Sequence, residues 1–77
     1  MNKWQNPVQL TTPLSGLVRV DGPFVALLVL TDEWPDMRGP GYVRARSYCR
    51  AAIAGRKPAE EARAYFIEAA REANLMH

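Results

Sequence analysis

Residues 39–73, GPGYVRARSYCRAAIAGRKPAEEARAYFIEAAREA, decide the fold. The stretch reads as two helices joined by a tight corner at Ala54-Gly55-Arg56-Lys57-Pro58. The first runs from about Tyr42 to Ala54. At about 100° per residue, Tyr42, Ala45, Cys49, Ala52 and Ile53 share one face, and Arg46, Arg50 and Lys57 fall within about 40° of one another beside it. The second helix starts at Pro58, and Glu60 and Glu61 in its first turn suit the positive end of the helix dipole. Its apolar face is Ala62, Phe66, Ala69 and Ala73, flanked by Tyr65 and Ala70. Glu61, Glu68 and Glu72 make an acidic line on one edge, and Asn74 is the expected C-cap. Alanine on both apolar faces lets the two helices approach closely.

Upstream, Phe24-Val25-Ala26-Leu27-Leu28-Val29-Leu30 is compatible with a strand or a helix. Pro23 in a first helical position, with Asp21 or Gly22 as cap, favours the helix, as do three leucines and an alanine against two valines. Such a helix is apolar all round and has to be buried on several sides. One face can lie on the strands before it and another on the helices after it, which leaves little chain for the third. Trp34-Pro35 ends it, because the residue before proline is driven out of the α region. Asp32 and Glu33 then sit at the negative end of the helix dipole, a conflict that pairing with Arg38 or Arg44 would relieve. Asp36-Met37-Arg38-Gly39-Pro40-Gly41 is a loop by composition.

Further back, Pro7-Val8-Gln9-Leu10-Thr11 and Leu17-Val18-Arg19-Val20 alternate apolar and polar residues, the pattern of half-buried strands. Thr12-Pro13-Leu14-Ser15-Gly16 supplies the turn between them. Two strands this short need a helix or a further sheet over one face.

Length and composition bound the rest. A chain of 77 residues makes one domain and buries roughly 60% of its unfolded surface, enough for one small core. Small cores often draw support from a disulfide, a metal or a partner subunit. Cys49 is the only cysteine, which rules out an internal disulfide and suits a reducing compartment. Cys49 and His77 alone are too few ligands for a structural zinc. Partner subunits are what remain. The segment Met1 to Pro7 lacks the profile of a secretory signal, and the apolar run from Pro23 to Leu30 is too short to span a bilayer. A soluble, cytoplasmic protein is expected.

The net charge of +2 is unevenly spread. Residues 1–40 carry three basic and four acidic groups, residues 41–57 five basic and none acidic, and residues 58–77 two basic and four acidic. One basic helix between acidic neighbours is a weaker nucleic-acid signal than a uniformly basic chain. Arg46, Arg50 and Lys57 offer phosphate contacts, and Tyr42, Tyr48 or Trp34 a stacking platform. Mutual neutralisation of that basic line by Glu61, Glu68 and Glu72, within the chain or across a dimer, is the simpler expectation and is favoured. Trp34-Pro35 reads first as a hydrophobic cover and helix stop. Cys49 reads as a buried small hydrophobe, and His77 as a terminal residue without a catalytic role. Asp32, Glu33 and Asp36 lack the spacing of a calcium loop and read as an ion-paired corner. Ile67 lies away from the core stripe, either as a lone exposed apolar residue or in a contact surface.

With these residues placed, the chain resembles the small bacterial family called "domain of unknown function 982". The likeness runs from Trp4 nearly to the end. It rests on Trp4 with Pro7-Val8, Gly22, Ala26-Leu27, Trp34-Pro35, Gly39-Pro40, Ala45, Cys49 and Gly55, then Ala62-Arg63, Phe66, Ala69-Ala70 and Glu72-Ala73. The resemblance implies a short α+β domain with strands first and helices after, and so supports the helix at Phe24–Leu30. Phe24-Val25 and Val29 depart from it by being more apolar. It brings no activity, cofactor or catalytic residues.

The expectation is therefore an α+β fold: an N-terminal antiparallel β-hairpin followed by three α-helices, the last two packed as an alanine-rich pair. The expected function is a cytoplasmic protein-interaction module that self-associates as a homodimer or small homo-oligomer, with a separate protein partner also open. Trp34, Arg38, Tyr42, Arg46, Arg50 and Lys57 form its expected contact surface. The alternative is a nucleic-acid-binding accessory protein using Arg46, Arg50 and Lys57. No enzyme, cofactor, metal or membrane role is expected, since no nucleophile–base pair, metal set or phosphate loop can be assembled.

Overall fold

The computed structural model describes residues 3–36 and 38–76. Strands β1 (Val8–Thr12) and β2 (Gly16–Val20) pair antiparallel, with Val8 opposite Val20 and Thr12 opposite Gly16. Three helices follow: α1 (Pro23–Asp32), α2 (Pro40–Ile53) and α3 (Ala59–Glu72). The expected order of elements and the packed final pair are both present.

The hairpin turns through Pro13-Leu14-Ser15, with Gly16 in the left-handed region at φ 71°. A three-residue loop closed by such a residue is a common hairpin solution. Thr12 ties the loop down twice. Its hydroxyl accepts from the Ser15 N–H at 3.1 Å and donates to Glu33 Oε1 at 2.9 Å. Of the two acids at the end of α1, Glu33 is thus met by a threonine on β1, and not by Arg38 or Arg44.

Val8, Leu10, Thr12 and Val20 point inward and are buried. On the outer side of β1 the Thr11 N–H donates to the Leu75 carbonyl at 2.9 Å, so the C-terminal tail flanks this strand. An N–H turned that way marks the Thr11–Leu17 pair as a non-hydrogen-bonded one. By alternation, Leu17 and Arg19 turn their N–H and C=O groups to the far side of β2. Among the described residues nothing pairs with that edge.

Gly22 is extended and Pro23 occupies the first turn, so α1 starts as the sequence predicts. Ala26, Val29 and Leu30 are buried, and the Leu30 carbonyl accepts the Tyr42 hydroxyl at 2.9 Å. Cover is confined to one side: Phe24 is 64% exposed and Leu28 47%.

The two long helices pack through small residues, with Ala45, Cys49 and Ala52 meeting Ala62, Ala69 and Ala70 in one core. Ile53 departs from the expected face and is 39% exposed. It lies at the last position of α2, where the chain is already turning away. That turn is a Schellman motif, with Arg56 N–H donating to Ala51 C=O at 2.8 Å and Gly55 N–H to Ala52 C=O at 3.1 Å. Gly55 takes the required positive φ of 78°. The end of α3 repeats the device, with Leu75 N–H bonded to Ala70 C=O and Asn74 at φ 60°.

Four rings run through the core: Trp4, Phe66, Trp34 and Tyr42, with successive centroids 5.7, 5.8 and 6.1 Å apart. Trp4 is anchored by its Nε1–H donating to the Ala59 carbonyl at 2.7 Å. The N-terminal segment, the stretch after α1, α2 and α3 are thereby joined through side chains. Ile67 is half-buried against this core, nearer the wall than the open surface.

Candidate functional site

Of the six residues expected to form a contact surface, two belong to the core. Trp34 is 6% exposed and Tyr42 5%. The aromatic chain explains both, because Trp34 packs on Phe66 and Tyr42 packs on Trp34. Neither is available as a stacking platform. Their neighbours are at the surface: the Arg38 guanidinium lies 5.1 Å from the Tyr42 ring centre and that of Arg46 5.8 Å. A cation over an aromatic face gains modestly from the ring quadrupole while its in-plane N–H groups stay free.

Arg46 and Arg50, one turn apart on α2, line a cleft of about 320 Å³ together with Tyr42, Val43, Ser47 and Arg56. Arg56 is the member that the helix pattern missed. It lies beyond α2, and the Schellman turn folds it back onto the last turn of the helix. The signal was present in Gly55-Arg56, since glycine at the end of a helical pattern places the next residue there. Lys57, expected beside Arg46 and Arg50, goes elsewhere. Its Nζ is 5.9 Å from the Tyr48 ring, in a separate hollow of about 180 Å³. Tyr48 itself stacks on Tyr65 at 4.2 Å.

Within one chain, among the described residues, the acidic line does not neutralise this basic group. Glu68 pairs with Arg44 at 2.8 Å, and that hydrogen bond, helped by the carboxylate's charge, holds the Arg44 guanidinium above its ordinary value. Glu72 reaches the start of α2, where Oε2 accepts the Gly41 N–H at 3.3 Å. Arg46, Arg50 and Arg56 face no carboxylate among the described residues. The Arg46 Nε–H is buried and has no acceptor there.

Cys49 is fully buried, and burial pushes its thiol up to about 12. Desolvation is the one cause of that shift, and no charged neighbour among the described residues contributes to it. Glu33 is engaged with Thr12, and no three His, Cys, Asp or Glu side chains converge among the described residues. His77 and Met37 lie outside the described residues. Apolar side chains are exposed at two further places: Phe24 and Leu28 on α1, and Leu17, 70% exposed, on the edge strand β2. No described helix is long and apolar enough to cross a membrane.

Comparison with known proteins agrees with this architecture. The family described as "Protein of unknown function (DUF982)" matches residues 6–77. The NMR structure of Agrobacterium tumefaciens protein Atu1219 is similar, at 31% sequence identity and a TM-score of 0.78, and the match covers 99% of this chain and 76% of that one. No curated protein matches the chain.

Proposed function

The chain belongs to the DUF982 family, whose description carries no activity, and from that premise we propose that it is a cytoplasmic binding module acting as a homodimer or small homo-oligomer, without a catalytic step of its own. The observation that carries this reading is the uncovered stripe of α1 at Phe24 and Leu28. Phe24 and Leu28 stay in water although every residue from Pro23 to Leu30 is apolar. Apolar surface of this kind on a small domain marks a contact site more often than an accident of composition.

The free edge of β2 supports a second copy as the occupant. Two copies related by a twofold axis through Val18 would set Leu17 of one against Arg19 of the other. Each such pair exchanges two backbone hydrogen bonds, so the hairpins would join as one four-stranded antiparallel sheet. Leu17 would then lie against the aliphatic stem of Arg19, and the two arginines would be diagonal rather than opposed. An open edge with an exposed leucine beside it otherwise invites indiscriminate pairing. Binding of another protein through the same α1 surface is compatible with this assembly.

The test is a pair of variants compared with the parent by sedimentation velocity. Arg19→Pro removes an edge N–H without touching the β1–β2 ladder, a position where proline is tolerated. Phe24→Gln with Leu28→Gln makes the α1 face polar. Each is expected to weaken dimerisation at least about tenfold, a loss of about 1.4 kcal/mol. Dimerisation unchanged in both would refute the proposal.

Nucleic-acid binding is the second reading, favoured by the five basic residues and no acidic one between positions 41 and 57. Duplex affinity that falls steeply with salt, and falls again in Arg46→Gln, is its signature.

A further inference from the structure

We propose that the cleft formed by Arg46, Arg50 and Arg56 is a binding site for a small phosphate-bearing molecule, held by its terminal phosphate. This site is separate from the surfaces assigned to self-association, and its test does not depend on them. Lys3 is paired with Asp21, Arg44 with Glu68, and Arg63 donates to the Asn6 carbonyl. Among the described residues Arg19, Arg38, Lys57 and Arg71 also have no ion pair or side-chain hydrogen bond, so what sets the cleft apart is that three guanidinium groups line one hollow. The three arginines of the cleft converge with no anion between them, and their repulsion is uncompensated. Nothing in the packing demands that arrangement, since Arg50 and Arg56 are exposed.

Arg46 gives the more specific sign. Its guanidinium rests against the Tyr42 ring, which is itself fixed by a hydrogen bond to Leu30. The side chain is thus oriented in advance, yet its Nε–H is buried without an acceptor. A buried donor left unpaired is costly, and because that Nε–H has no exposed surface, an anion in the cleft is met by the other N–H groups of this pre-oriented guanidinium. Guanidinium forks match the oxygens of a phosphate, and a terminal phosphate offers three of them. Ser47 adds a hydroxyl to the same wall. The cleft, at about 320 Å³, exceeds the needs of a bare phosphate, and Val43 lines it with apolar surface. An organic group attached to the phosphate fits that remainder.

The same geometry disfavours a polymer. A nucleic-acid backbone needs basic groups strung along a track. Here Lys57, which would extend the line, turns to Tyr48, and Arg44 is taken by Glu68. What is left is a point of convergence.

The experiment titrates the full chain with inorganic phosphate and with pyrophosphate, against sodium chloride at matched ionic strength. Melting temperature, calorimetric heat and the Arg46 Nε–H resonance are followed together. Both probes should raise the melting temperature beyond chloride, with one saturable site and a shifted Arg46 signal. Arg50→Gln and Arg56→Gln should each weaken binding at least about tenfold. Arg44→Gln, which removes the same charge outside the cleft, should leave it unchanged. No effect beyond chloride overturns the proposal. So does an equal loss in Arg44→Gln, which would reduce binding to net charge. Salt-sensitive binding of a duplex that phosphate fails to displace would overturn it in favour of a nucleic-acid surface.

Discussion

Cys49 has no side-chain surface in water, and its thiol is pushed up to about 12 by that burial alone. A thiolate is the reactive form, so Cys49 should behave as a hydrophobe near neutral pH. Because the folded value lies above the unfolded one, its contribution is fully present below about pH 9 and is lost as pH rises toward 12. Between those limits the expected loss is about 1.4 kcal/mol per pH unit. Comparing urea unfolding of the parent and Cys49→Ala at pH 8 and pH 10.5 isolates it, and parallel curves would contradict it. Gly55 makes a different demand. Its φ of 78° is open to few residues, while a methyl group there would meet nothing within 4 Å. Gly55→Ala should therefore cost about 1 kcal/mol through the backbone alone. Gly55→Asn should recover part of it, as Asn74 already occupies the equivalent turn at φ 60°. Chemical denaturation of the two variants checks the order. The punctuation of the chain was legible at both sites, because Gly and Asn at helix ends declare their conformation. The return of Arg56 into the cleft was legible only to someone following the turn past the helix.

Among the elements, α2 and α3 depend on each other at their ends as well as along their faces. Gly39, the residue before α2, makes no side-chain cap, and Glu72 from the last turn of α3 supplies the missing acceptor. A carboxylate at the wrong end of its own helix is thereby at the favourable end of another. The glycines permit it: a Cβ on Gly39 would lie 3.0 Å from Glu72 Oε1, and one on Gly41 would lie 3.2 Å from the Ala69 backbone. Glu72→Ala should destabilise by about 1 kcal/mol, as losing a helix cap does, and Glu72→Gln by less. Urea unfolding decides, and equal stability of all three forms would remove this account of the carboxylate. Periodicity placed Glu61, Glu68 and Glu72 on one edge. It does not say which neighbour each would meet, because that depends on how the helices cross. The acidic line therefore split, with Glu68 going to Arg44 and Glu72 to the start of α2. The hairpin and the three helices were legible because alternation, proline starts and glycine stops all agree there.

For the molecule as a whole, the least legible feature was the orientation of α1. A helix that is apolar on every side carries no periodicity to say which side meets the core. Packing settles it through Ala26, Val29 and Leu30, and leaves Phe24 and Leu28 outside. Trp34, read first as a hydrophobic cover, and Tyr42, placed on the apolar face of its helix, are buried as those readings have it, and only their further place in a contact surface is lost. Aromatic residues beside arginines look alike whether the ring is stacked upon or buried beneath. Three features then converge on one conclusion at this scale: a free strand edge, an exposed leucine beside it and an α1 covered on one face only. The most direct measurement is the absolute mass of the parent protein by light scattering behind a gel-filtration column, across a dilution series in the micromolar range. The account predicts twice the 8.6 kDa of one chain, or a small multiple of it, falling on dilution. A mass of one chain at every concentration would contradict it.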